Sequence, residues 1–178
     1  MINSFIELVK RAQENNWCTK PYCTTCGSTE YRNRLQKLGG ETGGELIDSL
    51  SELEPNDLTG LENWRGALFI AFIDLPLYSY ADIIIDSWLP KVKGNVVFAD
   101  FVLFKIIKPL PPKSKARNQW IGMCLKLALK ENNFSLIESL ILVLGESASD
   151  YPELIELGKK FAKSSSQMRR VLRNTSND

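Results

Sequence analysis

The chain has 178 residues, of which 44% are hydrophobic and 24% charged, with a formal net charge of +1. That is an ordinary globular balance, long enough for one domain or one and a half, and it excludes a strong overall steering field for a charged ligand. Histidine is absent, which excludes Ser-His-Asp, Cys-His, HExxH and His-containing zinc-finger chemistry, because each needs an imidazole as base or ligand.

Residues 2–16 place Ile2, Phe5, Ile6, Val9 and Ala12 at helical spacing, and Asn15-Asn16 closes that helix. The cysteine-rich stretch Trp17–Gly27 follows. A short basic helix is expected over 28–38, with Ser28 as its cap and Leu35 and Leu38 inward. Gly39-Gly40-Glu41-Thr42-Gly43-Gly44 breaks the pattern and reads as a hinge. It is not a phosphate loop, since no apolar strand precedes it and no Gly-Lys-Ser/Thr ends it. From Glu41 through Glu62 there are seven acidic residues and no basic one. A helix is expected over 45–53, and Pro55-Asn56-Asp57 makes a turn that starts the next one.

Residues 58–74 carry Leu61, Trp64, Leu68, Phe69, Phe72 and Ile73 in a segment too apolar for an exposed helix. Asp74-Leu75-Pro76 stops it. The run Ile83-Ile84-Ile85 suits a strand or a helix, and Asp82 and Asp86 at four-residue spacing favour a helix over 80–89. Residues 96–107 are rich in β-branched and aromatic side chains. Their length without a central turn signal predicts one buried helix.

After the stiff linker Lys108-Pro109-Leu110-Pro111-Pro112-Lys113, Ser114 caps a helix to about Asn132, with Trp120, Ile121, Cys124, Leu125, Leu127 and Ala128 inward. Phe134–Leu144 is the next helix, with Gly145 at its C-cap. Asp150 is the expected N-cap of a third, with Pro152 in its first turn. The tail 164–178 is polar apart from one amphipathic patch, Met168–Arg173.

The expected fold is therefore all-α: an irregular array or bundle of about eight helices with an N-terminal Cys-rich loop. Its divisions are expected at 1–44, 45–163 and 164–178. Over 60–163 the rhythm of helix, short turn, helix resembles armadillo- or HEAT-type arrays, which implies stacked helical hairpins. No repeated sequence motif accompanies that rhythm.

Three of the four cysteines fall in Cys18-x4-Cys23-x2-Cys26-Gly27. Cys-x2-Cys-Gly lets two sulfurs face one ion, while the glycine tolerates a left-handed backbone. A structural zinc takes four ligands, so Cys18, Cys23 and Cys26 with Cys124 form the candidate set. The first three also match the ligand spacing of plant-type ferredoxins, although the next cysteine is far downstream and an iron–sulfur cluster is the weaker expectation. Cys23-x-x-Cys26 allows a disulfide or redox pair instead, and plain packing around Trp17 and Tyr22 is the remaining reading. Cys124 lies on an apolar helix face, where a lone cysteine is more often a small buried hydrophobe than a ligand.

Charge is sorted along the chain. Residues 1–88 hold 7 Lys/Arg and 13 Asp/Glu, and residues 89–178 hold 15 and 8. Lys105, Lys108, Lys113, Lys115 and Arg117 cluster about the proline linker. Lys159, Lys160, Lys163, Arg169, Arg170 and Arg173 form a second group. Such groups suit a charged protein partner or the phosphates of a nucleic acid, with Trp120 a base-stacking candidate or a core residue. Asp74, Asp82 and Asp86 invite a carboxylate site for a divalent ion, against the simpler reading of a solvated helix face.

No basic-then-apolar leader opens the sequence, and no apolar run approaches the ~20 residues of a membrane span, so a cytoplasmic protein with reduced thiols is expected. The functional expectation is a non-enzymatic protein–protein interaction module, an adaptor or regulatory subunit with a Cys-ligated zinc. The acidic segment 41–62 or the basic C-terminal half would meet the partner. A nucleic-acid-binding accessory protein is the alternative.

Overall fold

The computed structural model describes residues 4–23, 29–40, 43–75 and 77–175. Among them the regular elements are all helical, with eleven α-helices and no strand. The chain forms two compact units, Met1–Asn95 and Val96–Asp178. The division thus falls beside Gly94-Asn95. The glycine stretch at 39–44 lies inside the first unit, and the polar tail belongs to the second. No single helix among the described residues is long and apolar enough to cross a membrane.

In the first unit, α1 (Phe5–Glu14) starts where the Ser4 hydroxyl accepts the Glu7 amide, 3.3 Å away, satisfying one of the orphan N–H groups of a helix start. It ends at Asn16, whose φ of 54° is left-handed, so that the Trp17 N–H reaches back to the Ala12 carbonyl at 2.8 Å. Phe5, Leu8, Val9 and Ala12 form its buried stripe. Leu8 is inside and Ile6 half-buried, a small rotation from the face expected, and Ile2 lies outside the described residues.

The basic helix is α2 (Thr29–Gly39), with Tyr31, Leu35 and Leu38 buried at positions i, i+4 and i+7. Its expected cap, Ser28, lies outside the described residues. α3 (Gly44–Glu52) buries Leu46, Ile47 and Leu50, and α1, α2 and α3 pack against one another.

The apolar segment divides into α4 (Pro55–Thr59) and α5 (Trp64–Asp74). Gly60 and the residues after it supply a break that apolar spacing alone does not show. A 3-10 turn at Leu77–Tyr80 leads to α6 (Ala81–Trp88). The isoleucine run is helical: Ile84 and Ile85 are buried and Ile83 faces out. α6 packs on α3, where the Trp88 indole N–H donates to the Leu50 carbonyl at 2.6 Å. The Lys91 ammonium donates to the Ser51 carbonyl at 2.9 Å, placing a cation on the carbonyl end of α3, where the helix dipole favours it.

The second unit opens with α7 (Val96–Val102), which runs on as a π-helical turn, Leu103–Ile107. The expected single buried helix is therefore one rod whose last turn widens, and the Lys108 N–H reaches the Leu103 carbonyl at 3.0 Å, five residues back. α8 (Lys115–Glu131) is capped by Ser114 as expected, its hydroxyl accepting the Arg117 amide. Asn132, with φ of 53°, turns the chain into α9 (Phe134–Leu144), capped by the Asn133 side chain. A 3-10 stretch (Gly145–Asp150) intervenes before α10 (Pro152–Ala162). The N-cap position is Tyr151 rather than Asp150, and it makes no side-chain cap bond.

The amphipathic patch of the tail is α11 (Ser166–Arg173), seated by Met168 and Val171 and capped by Ser165. α9, the most apolar of these helices, contacts α7, α8, α10 and α11 and is the hub of this unit. α10 approaches its neighbours closely at Gly158, where a Cβ would meet Ile141 Cδ1 at 3.0 Å and Leu172 Cδ2 at 3.2 Å.

Candidate functional site

The cysteine stretch is fastened to the first unit by four separate contacts. Arg32 links it to α5: one guanidinium nitrogen donates to the Pro21 carbonyl at 2.7 Å, and another pairs with Asp74 at the end of that helix. The Arg34 guanidinium lies 6.0 Å from the Trp17 ring centroid, within cation–π range. Tyr22, 80% exposed, sets its ring edge on Phe69 at 6.3 Å. The Thr19 carbonyl presses against α5 at Gly66, where a Cβ would lie 2.0 Å from it.

Beneath these contacts the Tyr31 hydroxyl, wholly buried, donates to the Ala67 carbonyl at 2.9 Å. Burial first, and then the Asp74 carboxylate, push its phenol far above the ordinary range. The basic character of α2 is thus largely spent on holding the loop rather than on a partner.

The cysteines themselves divide. Cys23 is disulfide-bonded, whereas Cys18, half-buried, and Cys124, buried, are thiols. Cys26 lies outside the described residues. Cys124 belongs to the core of the second unit, its thiol donating to the Ala99 carbonyl at 3.8 Å beside the Trp120 indole N–H, which donates to the same oxygen at 3.1 Å. Burial, with Asp100 adding to it, pushes that thiol well up, the opposite of what a thiolate ligand requires.

Among the described residues no group of three or more Cys, Asp or Glu side chains is placed to hold a metal ion. Of the expected zinc set of Cys18, Cys23, Cys26 and Cys124, Cys26 lies outside the described residues, and Cys23 is engaged in a disulfide, a form in which a sulfur carries no thiolate to offer. Of the readings the spacing allowed, the disulfide is the one that the bond at Cys23 matches.

Cys18 lines an open groove of about 380 Å³ together with Gln13, Trp17, Lys20, Glu62 and Asn63. The Glu62 backbone N–H donates to the Gln13 side-chain oxygen at 3.0 Å, and the Asn63 side-chain NH2 donates to the Val9 carbonyl at 3.3 Å. These bonds brace the α1–α5 junction. A chain without histidine gives the thiol no imidazole base.

The three aspartates also separate. Asp74 is engaged by Arg32, while Asp82 and Asp86 lie on the exposed side of α6.

In the second unit, the first basic group splits by role. Lys105 and Lys108 lie over the Phe104 ring at 5.5 and 4.6 Å from its centroid, and Lys113 and Lys115 are exposed. Arg117 turns inward. Its guanidinium donates to the carbonyls of Ile107 at 3.2 Å, Lys108 at 2.9 Å, Leu110 at 3.5 Å and Val143 at 3.0 Å, and desolvation lowers its pKa from the usual arginine value. It closes the end of the π turn and the last turn of α9. Trp120 is fully buried, a core residue.

The second basic group stays outside. Lys159, Lys160 and Lys163 at the end of α10, and Arg169, Arg170 and Arg173 on α11, are all exposed. Arg169 donates to the Ala162 carbonyl at 2.6 Å and Lys159 to Glu156 at 2.8 Å. From Leu157 to Asn177 the sequence has no Asp or Glu, so the end of α10 and all of α11 carry one sign of charge, while Glu153 and Glu156 stand exposed in the first half of α10.

The class so defined is an all-α protein of two helical units, one of them carrying a cluster of cations along the end of α10 and α11. The chain matches no protein-family model, no curated protein and no solved structure.

Proposed function

We propose that this chain is a non-enzymatic interaction module, an adaptor or regulatory subunit, whose second unit binds an acidic segment of another protein through the α10–α11 hairpin. The carrying observation is the set of six exposed cations on two short helices with no carboxylate between Leu157 and Asn177. Met168 and Val171 anchor α11 from beneath, which leaves its arginines to face outward. The units differ in charge: residues 1–95 hold 9 Lys/Arg against 13 Asp/Glu, and residues 96–178 hold 13 against 8. Successive packing of α8 on α9, α9 on α10 and α10 on α11 supports a HEAT-like stack as the scaffold.

Charge reversal tests the reading. K160E/K163E/R170E/R173E should weaken binding of a glutamate-rich peptide by roughly tenfold or more, since each rim pair contributes about 0.2–1 kcal/mol and reversal adds repulsion. Fluorescence anisotropy at two salt concentrations reads it out. Equal binding by the parent and the variant would remove the hairpin from consideration.

A nucleic-acid-binding accessory role is the second reading, favoured by Phe104 beneath Lys105 and Lys108, an aromatic ring with two cations. Preference for a labelled oligonucleotide over the peptide would select it. A cysteine-bound zinc enters only for the reduced chain, with Cys18, Cys23 and Cys26 as thiolates. Metal analysis of protein kept under reductant, with near-stoichiometric zinc expected, tests that part, and zinc-free reduced protein would reject it.

A further inference from the structure

Beside the basic hairpin, α8 and α10 enclose an open groove of about 410 Å³. Its floor is Leu129, Pro152 and Leu157, and its rim is Glu153, Glu156 and Lys160. Leu129 is 44% exposed there, an apolar side chain left uncovered at the end of α8, whereas Leu127 of the same helix is buried and Leu125 half-buried. The volume lies in the range of clefts that take a small apolar group. Lys160 belongs both to this rim and to the basic hairpin, so groove and charge are continuous along α10. The order of charge is fixed as well: Glu153 and Glu156 stand at the N-terminal end of the groove, and Lys160 and Lys163 at the other.

We infer that this groove seats one bulky apolar side chain of an acidic partner segment, whose carboxylates continue toward Lys160 and Lys163. The inference rests on the reading of α10–α11 as an anion-binding face and adds the partner's chemistry: an apolar anchor with acidic residues on one flank. The acidic stretch of a second copy does not fit, because its apolar residues Leu46, Ile47, Leu50 and Leu58 are buried in their own unit. An apolar anchor with a charged rim is the usual division between affinity and orientation at such surfaces.

A random peptide library displayed on phage and selected on the full-length protein tests this. Enriched sequences should carry a Leu, Ile, Phe or Trp with Asp or Glu on one side. As soluble labelled peptides they should bind roughly tenfold more weakly to Leu129→Asp and to K160E/K163E, and likewise when their anchor is replaced by Ser. Leu129 is exposed enough for Leu129→Asp to fold, and an unchanged melting curve confirms it. Peptides that lose binding in K160E/K163E but not in Leu129→Asp would overturn the groove while leaving the basic hairpin standing. Indifference to both variants would overturn both. A concentration-dependent dimer disrupted by Leu129→Asp would assign the groove to a second copy and overturn the inference.

Discussion

Gly66→Ala is expected to lower the melting temperature and to expose Cys18, although alanine is the better helix former. Gly66 lies in α5 with ordinary helical φ, so the backbone itself does not require glycine. On propensity alone the change would stabilise by about 1 kcal/mol. The added Cβ, however, would lie 2.0 Å from the Thr19 carbonyl oxygen and 3.1 Å from its carbon. Both are backbone atoms, so no rotamer change relieves the contact. The loop must withdraw, and with it go the Arg34–Trp17 stacking and the Arg32 bond to Pro21.

Overpacking of this kind costs about 1–3 kcal/mol, and the lost loop contacts add to it. A net loss of about 2 kcal/mol corresponds to a fall of roughly 10 °C for a unit of this size. Gly122→Ala is the control. It lies inside α8, and a Cβ added there would meet nothing within 4 Å, so alanine should stabilise by a few tenths to about 1 kcal/mol. The second readout is the rate at which a thiol reagent modifies Cys18. It should rise in Gly66→Ala, while Cys124, buried in the second unit, stays protected in both proteins. An unchanged melting curve and an unchanged Cys18 rate would mean that the loop does not sit on Gly66.

Much of the fold is written in local patterns. Ser4, Ser114 and Asn133 cap the helices that follow them, because a short polar side chain before an apolar period is a self-contained signal. The isoleucine run at 83–85 resolves as a helix through the spacing of its neighbours. What the sequence hides is decided by partners far along the chain. Gly66 looks like any helical glycine until Thr19 is placed against it. Asp150 has the chemistry of an N-cap, yet the 3-10 stretch carries it past the helix start and leaves Tyr151 in that position.

The candidate site divides the same way. Exposed cations on α10 and α11 are visible as a charge run, because no carboxylate interrupts the sequence from Leu157 to Asn177. Charge alone does not say which cations point inward. Arg32 and Arg34 hold the cysteine loop, and the spacing Cys18-x4-Cys23-x2-Cys26 is compatible with a metal or with a disulfide until sulfur partners are known.

Arg117 is the sharpest case, and it yields the second large effect. By sequence it joins Lys113 and Lys115 as a partner-binding cation. In the structure its guanidinium fork spans two helix ends, donating to Ile107, Lys108 and Leu110 on one side and to Val143 on the other. The π turn ends there, and a helix end leaves carbonyls that need donors. Arg117→Met keeps most of the aliphatic stem and removes the fork. Hydrogen bonds to a charged donor contribute about 1.5–3 kcal/mol in favourable cases, and the four are not additive, since they share one group and two carbonyl clusters. A loss of about 2–3 kcal/mol is expected, seen as a lower melting temperature and as faster amide exchange over 103–110 and near the end of α9. Arg117→Lys should recover only part of it, because an ammonium is a single point of charge and does not span both helix ends. Lys126→Met, on the exposed side of the same helix, should change stability by no more than about 0.5 kcal/mol. Were Arg117→Met to match Lys126→Met in stability and to weaken binding of the acidic peptide instead, Arg117 would return to the partner-binding surface, and the end of α9 would have to be closed by water.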